Sequence, residues 1–355
     1  MQVHSQQAPS QRRAFVRATL SGIALSLASY GSARAQASVG KLTIGTGNLD
    51  PQFAAGYVAH KNGFFKEFGL DATLIDCQNG PRARQMLAAD QISVAVSASF
   101  DALIIAAAGK ETKTLFNIDT RLPYANVLVH KEDYDSGKIR KFADLAGQKV
   151  GVSGPKSAFW LMATHMVEKA NIKNVEIRFI GGTPEMLAAL KSRQVAASMA
   201  TMTMMEQAVE QGWAVPIVSF KEERAFRDAI GLGGDVPGLS AFALSSTVAK
   251  RPAEIQAFVA GWLKGTDFLM ANSAEAIVDL IHQDYLGSFE RGTLVRTVAT
   301  LKDKVWSRDN YLSKDAYNRI LAVMGGDRLL SDAEVRKLTY ETATDVSMVR
   351  KVRKI

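Results

Sequence analysis

Short apolar strands alternate with helices twice along this chain, and that doubled rhythm constrains the fold more than any other feature. In the first series Lys41–Gly45, Ala72–Ile75, Ile92–Ser97 and Thr112–Ile118 read as strands. The segments between them, 53–62, 81–89 and 101–108, read as helices closed by glycines or small polar residues. Strands apolar on both faces and separated by helices predict a parallel sheet covered on both sides. A second series follows. Val150–Val152, Val175–Ile180, Val195–Met199 and Ala214–Val218 read as strands, with helices over 157–170, from Thr183 to about Lys191, and over 204–211. Tyr124–His130 reads as a strand before a charged segment at 131–141, and Leu239–Ser245 as a strand that returns the chain. The class is α/β, with two doubly wound sheets. One lobe spans 38–124 and 238–355, including helices from Pro252 onward, and the other spans 125–237. Crossovers fall near Leu122–Val127 and Val236–Ser240. Ligands bind beyond the carboxyl ends of such strands, so facing lobes would share one cleft. Residues 220–237 give no regular pattern, and their glycines lack the spacing of a dinucleotide fingerprint.

The sharpest local signal is Ser153-Gly-Pro-Lys-Ser157, between a buried strand and an amphipathic helix. Ser157 suits a helix N-cap, and the amides after it lack intrahelical partners. With the helix dipole they favour an anionic or strongly accepting group, and Lys156 adds a charge beside them. The plain alternative is a turn that caps itself and binds nothing.

The N-terminus lies outside this pattern. Arg12-Arg13-Ala-Phe-Val16 is a twin-arginine pair before a short apolar run, with small-x-small sites at Ala33-Arg-Ala35 and Ala35-Gln-Ala37. Residues 1–37 read as a cleaved export signal of the twin-arginine type; a retained anchor is the alternative. That segment carries Arg12, Arg13, Arg17 and Arg34 and no acid, so its removal takes the formal charge from +8 to +4. Arg350, Lys351, Arg353 and Lys354 supply four more charges in a tail expected to be solvated. The body is close to neutral, which argues against a nucleic-acid partner.

Nothing in the pattern composes an active site. His60, His130, His165 and His282 lack metal-ligand spacing, so neither a metal nor a cofactor is expected. Ser153 misses the nucleophile-elbow pattern because Pro155 stands where glycine belongs. The single cysteine, Cys77, reads as a buried or half-buried free thiol at a strand end.

Three stretches resemble a known family. The segment 54–71, with Tyr57-Val-Ala-His-Lys-Asn-Gly-Phe-Phe65, looks like the first helix and turn of periplasmic solute-binding proteins of the nitrate/sulfonate/taurine type. Phe142-Ala-Asp-Leu-Ala-Gly-Gln-Lys-Val-Gly-Val152 is similar to the opening of their second lobe, and Gly181-Gly-Thr-Pro-Glu-Met-Leu187 to a later turn there. The resemblance covers about residues 40–245. The chain departs from the family where acids are usual: Ile92-Ser93 and Ala196-Ala197 stand there instead.

The resemblance implies a type II periplasmic-binding-protein-like fold, monomeric, closing about a hinge and delivering solute to an ABC transporter permease in the inner membrane. It places ligand contacts at Asn48, Gln52 and Phe53, at Ser97, Ser99 and Phe100, and at Thr120 and Arg121 beside Asp119. In the second lobe it places them at Ser153, Lys156, Ser157 and Trp160, and at Thr201 and Thr203 around Met202. Arg121 suits a bidentate grip on a sulfonate or carboxylate, Lys156 and the helix amides a hold from the opposite lobe. Phe53, Phe100 and Trp160 would cover an apolar body. The expected ligand is a small organic anion, sulfonate-, taurine- or carboxylate-like. A neutral pyrimidine-type precursor, a bilobal enzyme of thiamine-pyrimidine synthesis and a sensor component are the alternatives.

Overall fold

The computed structural model describes residues 38–325 and 328–355, and residues 38–355 form one compact unit. The proposed export signal lies outside the described residues. The first lobe begins with β1 (Gly40–Thr46), a 3-10 turn at Pro51–Phe53, α1 (Ala54–Lys61), α2 (Phe64–Glu67) and β2 (Leu70–Asp76). It continues with α3 (Gly80–Ala88), β3 (Val94–Ala98), α4 (Asp101–Ala107) and β4 (Thr112–Asn117). The second lobe holds β5 (Asn126–His130), α5 (Lys131–Asp135), β6 (Lys149–Val152), α6 (Ala158–Lys169) and β7 (Glu176–Phe179). It ends with α7 (Thr183–Lys191), β8 (Ala197–Ala200), α8 (Met202–Glu210), β9 (Ala214–Val218) and α9 (Glu223–Ile230). The chain then returns through β10 (Leu239–Leu244), α10 (Ser245–Lys250), α11 (Pro252–Ala271), α12 (Ala274–Tyr285) and α13 (Arg291–Lys304). α14 (Lys314–Met324), α15 (Asp332–Val335), α16 (Tyr340–Ala343) and α17 (Ser347–Arg353) complete it.

The sheets have five strands each, in the orders β2-β1-β3-β10-β4 and β7-β6-β8-β5-β9. Parallel pairing is expected from the pattern, yet β10 runs antiparallel to β3 and β4, and β5 antiparallel to β8 and β9. The reason is topological. β5 and β10 are the strands that follow each crossing, so they enter from the cleft side, where their neighbours end: Asn126 pairs with Ala200 and Leu239 with Ala98.

The first lobe is built around aromatics. Phe116 stacks on Phe258 with ring centroids 5.6 Å apart, and Phe65 on the same ring at 6.1 Å. α11 lies hard against α1: a Cβ on Gly265 would sit 2.2 Å from the Ala55 carbonyl oxygen. The second lobe instead buries Met162, Met186, Met199, Met202 and Met204, flexible side chains that fill irregular space.

Local details correct the sequence reading. Residues 220–237 contain a helix, α9, hidden because only Phe226 and Ile230, one turn apart, are buried on it. The charged segment holds α5. α7 starts at Thr183 as expected, but its cap residue is Gly182 and no side chain caps it. The basic tail is not simply solvated: in α17, Val349 is fully buried and Arg353 Nη1 lies 2.6 Å from Asp267 Oδ1. Cys77 is buried, and burial pushes its thiol up to about 11. No helix among the described residues is long and apolar enough to cross a membrane.

Candidate ligand-binding cleft

Two crossovers run side by side between the lobes. The Val236 amide donates to the Thr120 carbonyl at 2.9 Å, and Tyr124 OH to the Gly238 carbonyl at 2.9 Å. Asp119, 1% exposed, accepts the Gly238 amide at 2.6 Å, and burial holds its carboxyl well above the usual carboxylate range. Beyond the carboxyl ends of β1, β3, β6 and β8 lies a cleft lined from both lobes.

Helix starts face it from both lobes. α3 is capped by Asn79, whose Oδ1 accepts the Arg82 amide at 2.9 Å. α6 is capped by Ser157, whose Oγ accepts the Trp160 amide at 3.1 Å. α8 is capped by Thr201, whose Oγ1 accepts the Met204 amide at 3.2 Å, and α7 starts at the lining residues Gly182 and Thr183. Each helix turns the positive end of its dipole toward the cleft. Among the described residues no lysine or arginine belongs to the lining, which offers amides, hydroxyls and the rings of Phe53, Tyr124 and Phe159. Phe159 meets Tyr124 edge-on across the cleft at 6.1 Å.

Of the expected contacts, Asn48, Gln52, Phe53, Ser97, Ser153, Ser157 and Thr201 line this cleft. The others do not. Ser99 braces β10 through Ser240, 2.8 Å away. Phe100, 4% exposed, borders a separate void with Leu161 and Ile320. Thr120 Oγ1 donates to the Val305 carbonyl at 3.2 Å. Arg121 donates through Nε at 3.1 Å and Nη2 at 2.5 Å to the Lys304 carbonyl, so its fork closes the end of α13. Lys156, at φ 54°, is exposed and is not among the lining residues. Trp160 gives its amide to the cap, while Phe159, one position earlier and so about 100° away around α6, reaches the cleft. Thr203 is fully buried beneath the lining.

Sequence reasoning missed Gln78, Asn79, Gly80 and Pro81 after β2, and Tyr124 and Phe159. The Asn79-Gly-Pro81 run carries a signal, an N-cap with proline near the first helical position. Tyr124 and Phe159 carry none, because only the packing of the lobes sets them together.

Buried carboxyls lie behind the first-lobe wall. Asp101, 1% exposed, accepts Ser97 Oγ–H at 2.8 Å and Arg84 Nη1 at 2.5 Å; burial raises its carboxyl while Arg84 pulls it back. Arg84 Nη1 also reaches the Lys156 carbonyl across the cleft at 3.4 Å. Asp50, fully buried, takes both the backbone amide and Nε2 of Gln52 on Oδ1, at 3.1 and 3.0 Å. Burial raises it too, against the pull of Gln52 and of the Thr201 and Thr203 hydroxyls nearby.

Comparison with known proteins agrees on the fold. A protein from Bordetella bronchiseptica RB50 is similar at 21% identity and a TM-score of 0.77, over 88% of this chain and 97% of that one. The periplasmic nitrate-binding protein of Synechocystis PCC 6803 is similar at 13% identity and 0.69, over 88% of each chain. The alkanesulfonate-binding protein of Xanthomonas axonopodis pv. citri, bound to MOPS, is similar at 16% identity and 0.64, over 79% of this chain and 90% of that one. The chain thus has the two-lobed periplasmic-binding-protein fold. No match is found among curated proteins. A family model described as NMT1/THI5 like matches residues 50–276, well over half of the sequence, and the protein belongs to that family.

Proposed function

We propose that this protein is the exported solute-binding receptor of an ABC-type importer rather than an enzyme. One observation carries the reading: the starts of α3, α6, α7 and α8, with their capping residues, converge on one interlobe cleft at the carboxyl ends of both sheets. The two lobes, 38–124 with 238–355 and 125–237, would close about the paired crossovers and exclude water from the solute. The solute is a small organic acid with a sulfonate or carboxylate head. Unpartnered helix amides and hydroxyls hold such a head without a cation, as anions are held at helix N-termini generally. The protein would act as a monomer in the periplasm, where the fold's binding proteins from Synechocystis and other organisms work, and hand its solute to a membrane permease.

A second reading is favoured by the absence, among the described residues, of any cationic side chain in the lining and by the rings of Tyr124, Phe53 and Phe159. That reading is a neutral heteroaromatic, pyrimidine-like solute. A thermal-shift panel of alkanesulfonates, carboxylates, nitrate and aminopyrimidines separates the two. Stabilisation by sulfonates or carboxylates supports the first; stabilisation by pyrimidines alone replaces it with the second. Stabilisation by organic cations alone would sink both.

A further inference from the structure

We infer that Asp101 and Asp50 act as positioning residues that fix the polarity of the first-lobe wall: they take up the donors of Ser97 and Gln52, so this wall presents acceptors and selects a solute carrying an N–H or O–H donor. The inference rests on the cleft being the binding site and goes further, to which end of the solute faces which lobe.

The geometry at each residue is specific. Ser97 lines the cleft and has one hydroxyl hydrogen, committed to Asp101 Oδ2 at 2.8 Å. Arg84 occupies Oδ1 of the same carboxyl, which leaves Oδ2 as the acceptor for that hydrogen. What Ser97 turns to the cleft is a lone pair. Gln52 is 3% exposed, and its Nε2 is held by Asp50. Its Oε1 is buried without a partner, and an acceptor in that state is costly until a donor reaches it. Gln52 is also one of the residues that line the cleft. The wall in front of Asp101 is thin: a Cβ on the lining residue Gly80 would sit 3.0 Å from Asp101 Oδ2. The opposite wall is arranged the other way. Ser157 Oγ accepts from the Trp160 amide, so its hydrogen remains free to donate, beside the unpartnered amides of α6 and α7. A solute bridging the lobes therefore needs an acceptor at one end and a donor at the other.

Calorimetry on the whole protein with matched probes tests this. 3-Hydroxypropane-1-sulfonate against butane-1-sulfonate, and 4-aminopyrimidine against 4-methylpyrimidine, each differ by one donor at similar size. The donor-bearing member is expected to bind roughly tenfold more tightly. Ser97→Ala should shrink that ratio. Asp101→Asn should abolish or invert it, because the new amide donates to Ser97 and turns its hydrogen into the cleft; circular dichroism checks that both variants fold. A ratio near one in whichever pair binds overturns the inference, as does a ratio left unchanged by Ser97→Ala. If only the pyrimidines bind and the amino compound wins, the acid-head reading falls and this one stands. If neither pair binds, both fall.

Discussion

The two walls of the cleft set their polarity by different means. On the first lobe, polar side chains are fixed from behind by buried carboxyls, Asp50 under Gln52 and Asp101 under Ser97. That lobe has a rigid core of stacked aromatics and α11 pressed against α1. On the second lobe the polar groups are helix caps, Ser157 and Thr201, set over a methionine-rich core. The difference teaches how the lobes divide labour: one wall stands on long-range packing of aromatics and helices, the other is assembled from local strand–turn–helix units on methionine packing that tolerates adjustment.

The largest test of that comparison uses glycines. Gly265→Ala drives a methyl into the Ala55 carbonyl and should destabilise by about 2–4 kcal/mol in urea unfolding, whereas Gly154→Ala in the second-lobe turn, with nothing within 4 Å, should change stability by less than about 0.5 kcal/mol. Equal effects would remove the contrast in rigidity. Asn126 is the second lobe's own buried tie. Its Nδ2 donates to the Ala200 carbonyl at 3.1 Å and its Oδ1 accepts the Phe220 amide at 2.8 Å. Asn126→Ala should cost about 2–3 kcal/mol, because it leaves both backbone groups unpaired; a loss below 1 kcal/mol would mean that this lobe repacks even around its polar core. Ser157→Ala should cost about 1 kcal/mol of stability and also weaken solute binding, while Asn79→Ala tests the cap on the other wall.

The smallest effect is a pH dependence shared by His60 in the first lobe and His165 in the second, since burial lowers the pKa of both. Burial lowers the pKa of His165, whose Nε2 donates to the Ile230 carbonyl at 3.0 Å. A histidine whose folded value lies below its unfolded value of about 6.5 contributes full stability above that value, and loses it as the pH falls through 6.5 toward the folded value. Melting curves should therefore show a decline below pH 6.5 that His165→Gln reduces. An unaltered profile in the variant would assign the decline to other groups.

The placement of the expected contacts sharpens the same comparison. Ser157 was legible because a cap, a strand before it and an amphipathic helix after it are all short-range patterns. Arg121 was not. A guanidinium at a strand end suits an anion and a helix carbonyl equally well, and the Lys304 carbonyl that claims it comes from 183 residues away. Lys156 likewise has the right charge, but with its left-handed backbone at φ 54° it is exposed and is not among the lining residues. The choice of Phe159 over Trp160 is one step of helical rotation, below the resolution of a pattern read without a partner surface.

Sequence alone determined the doubled α/β rhythm, the cap at Ser157, the positions of both crossovers and most strands, since strand alternation, capping and punctuation depend on neighbours a few residues apart. Only the tertiary structure decided the sense of β5 and β10, the docking of the basic tail as α17, and which polar residues meet in the cleft. Those outcomes depend on where distant segments enter a sheet and on which distant groups claim a side chain, as the Lys304 carbonyl claims Arg121, and neither is encoded in any short stretch of the chain.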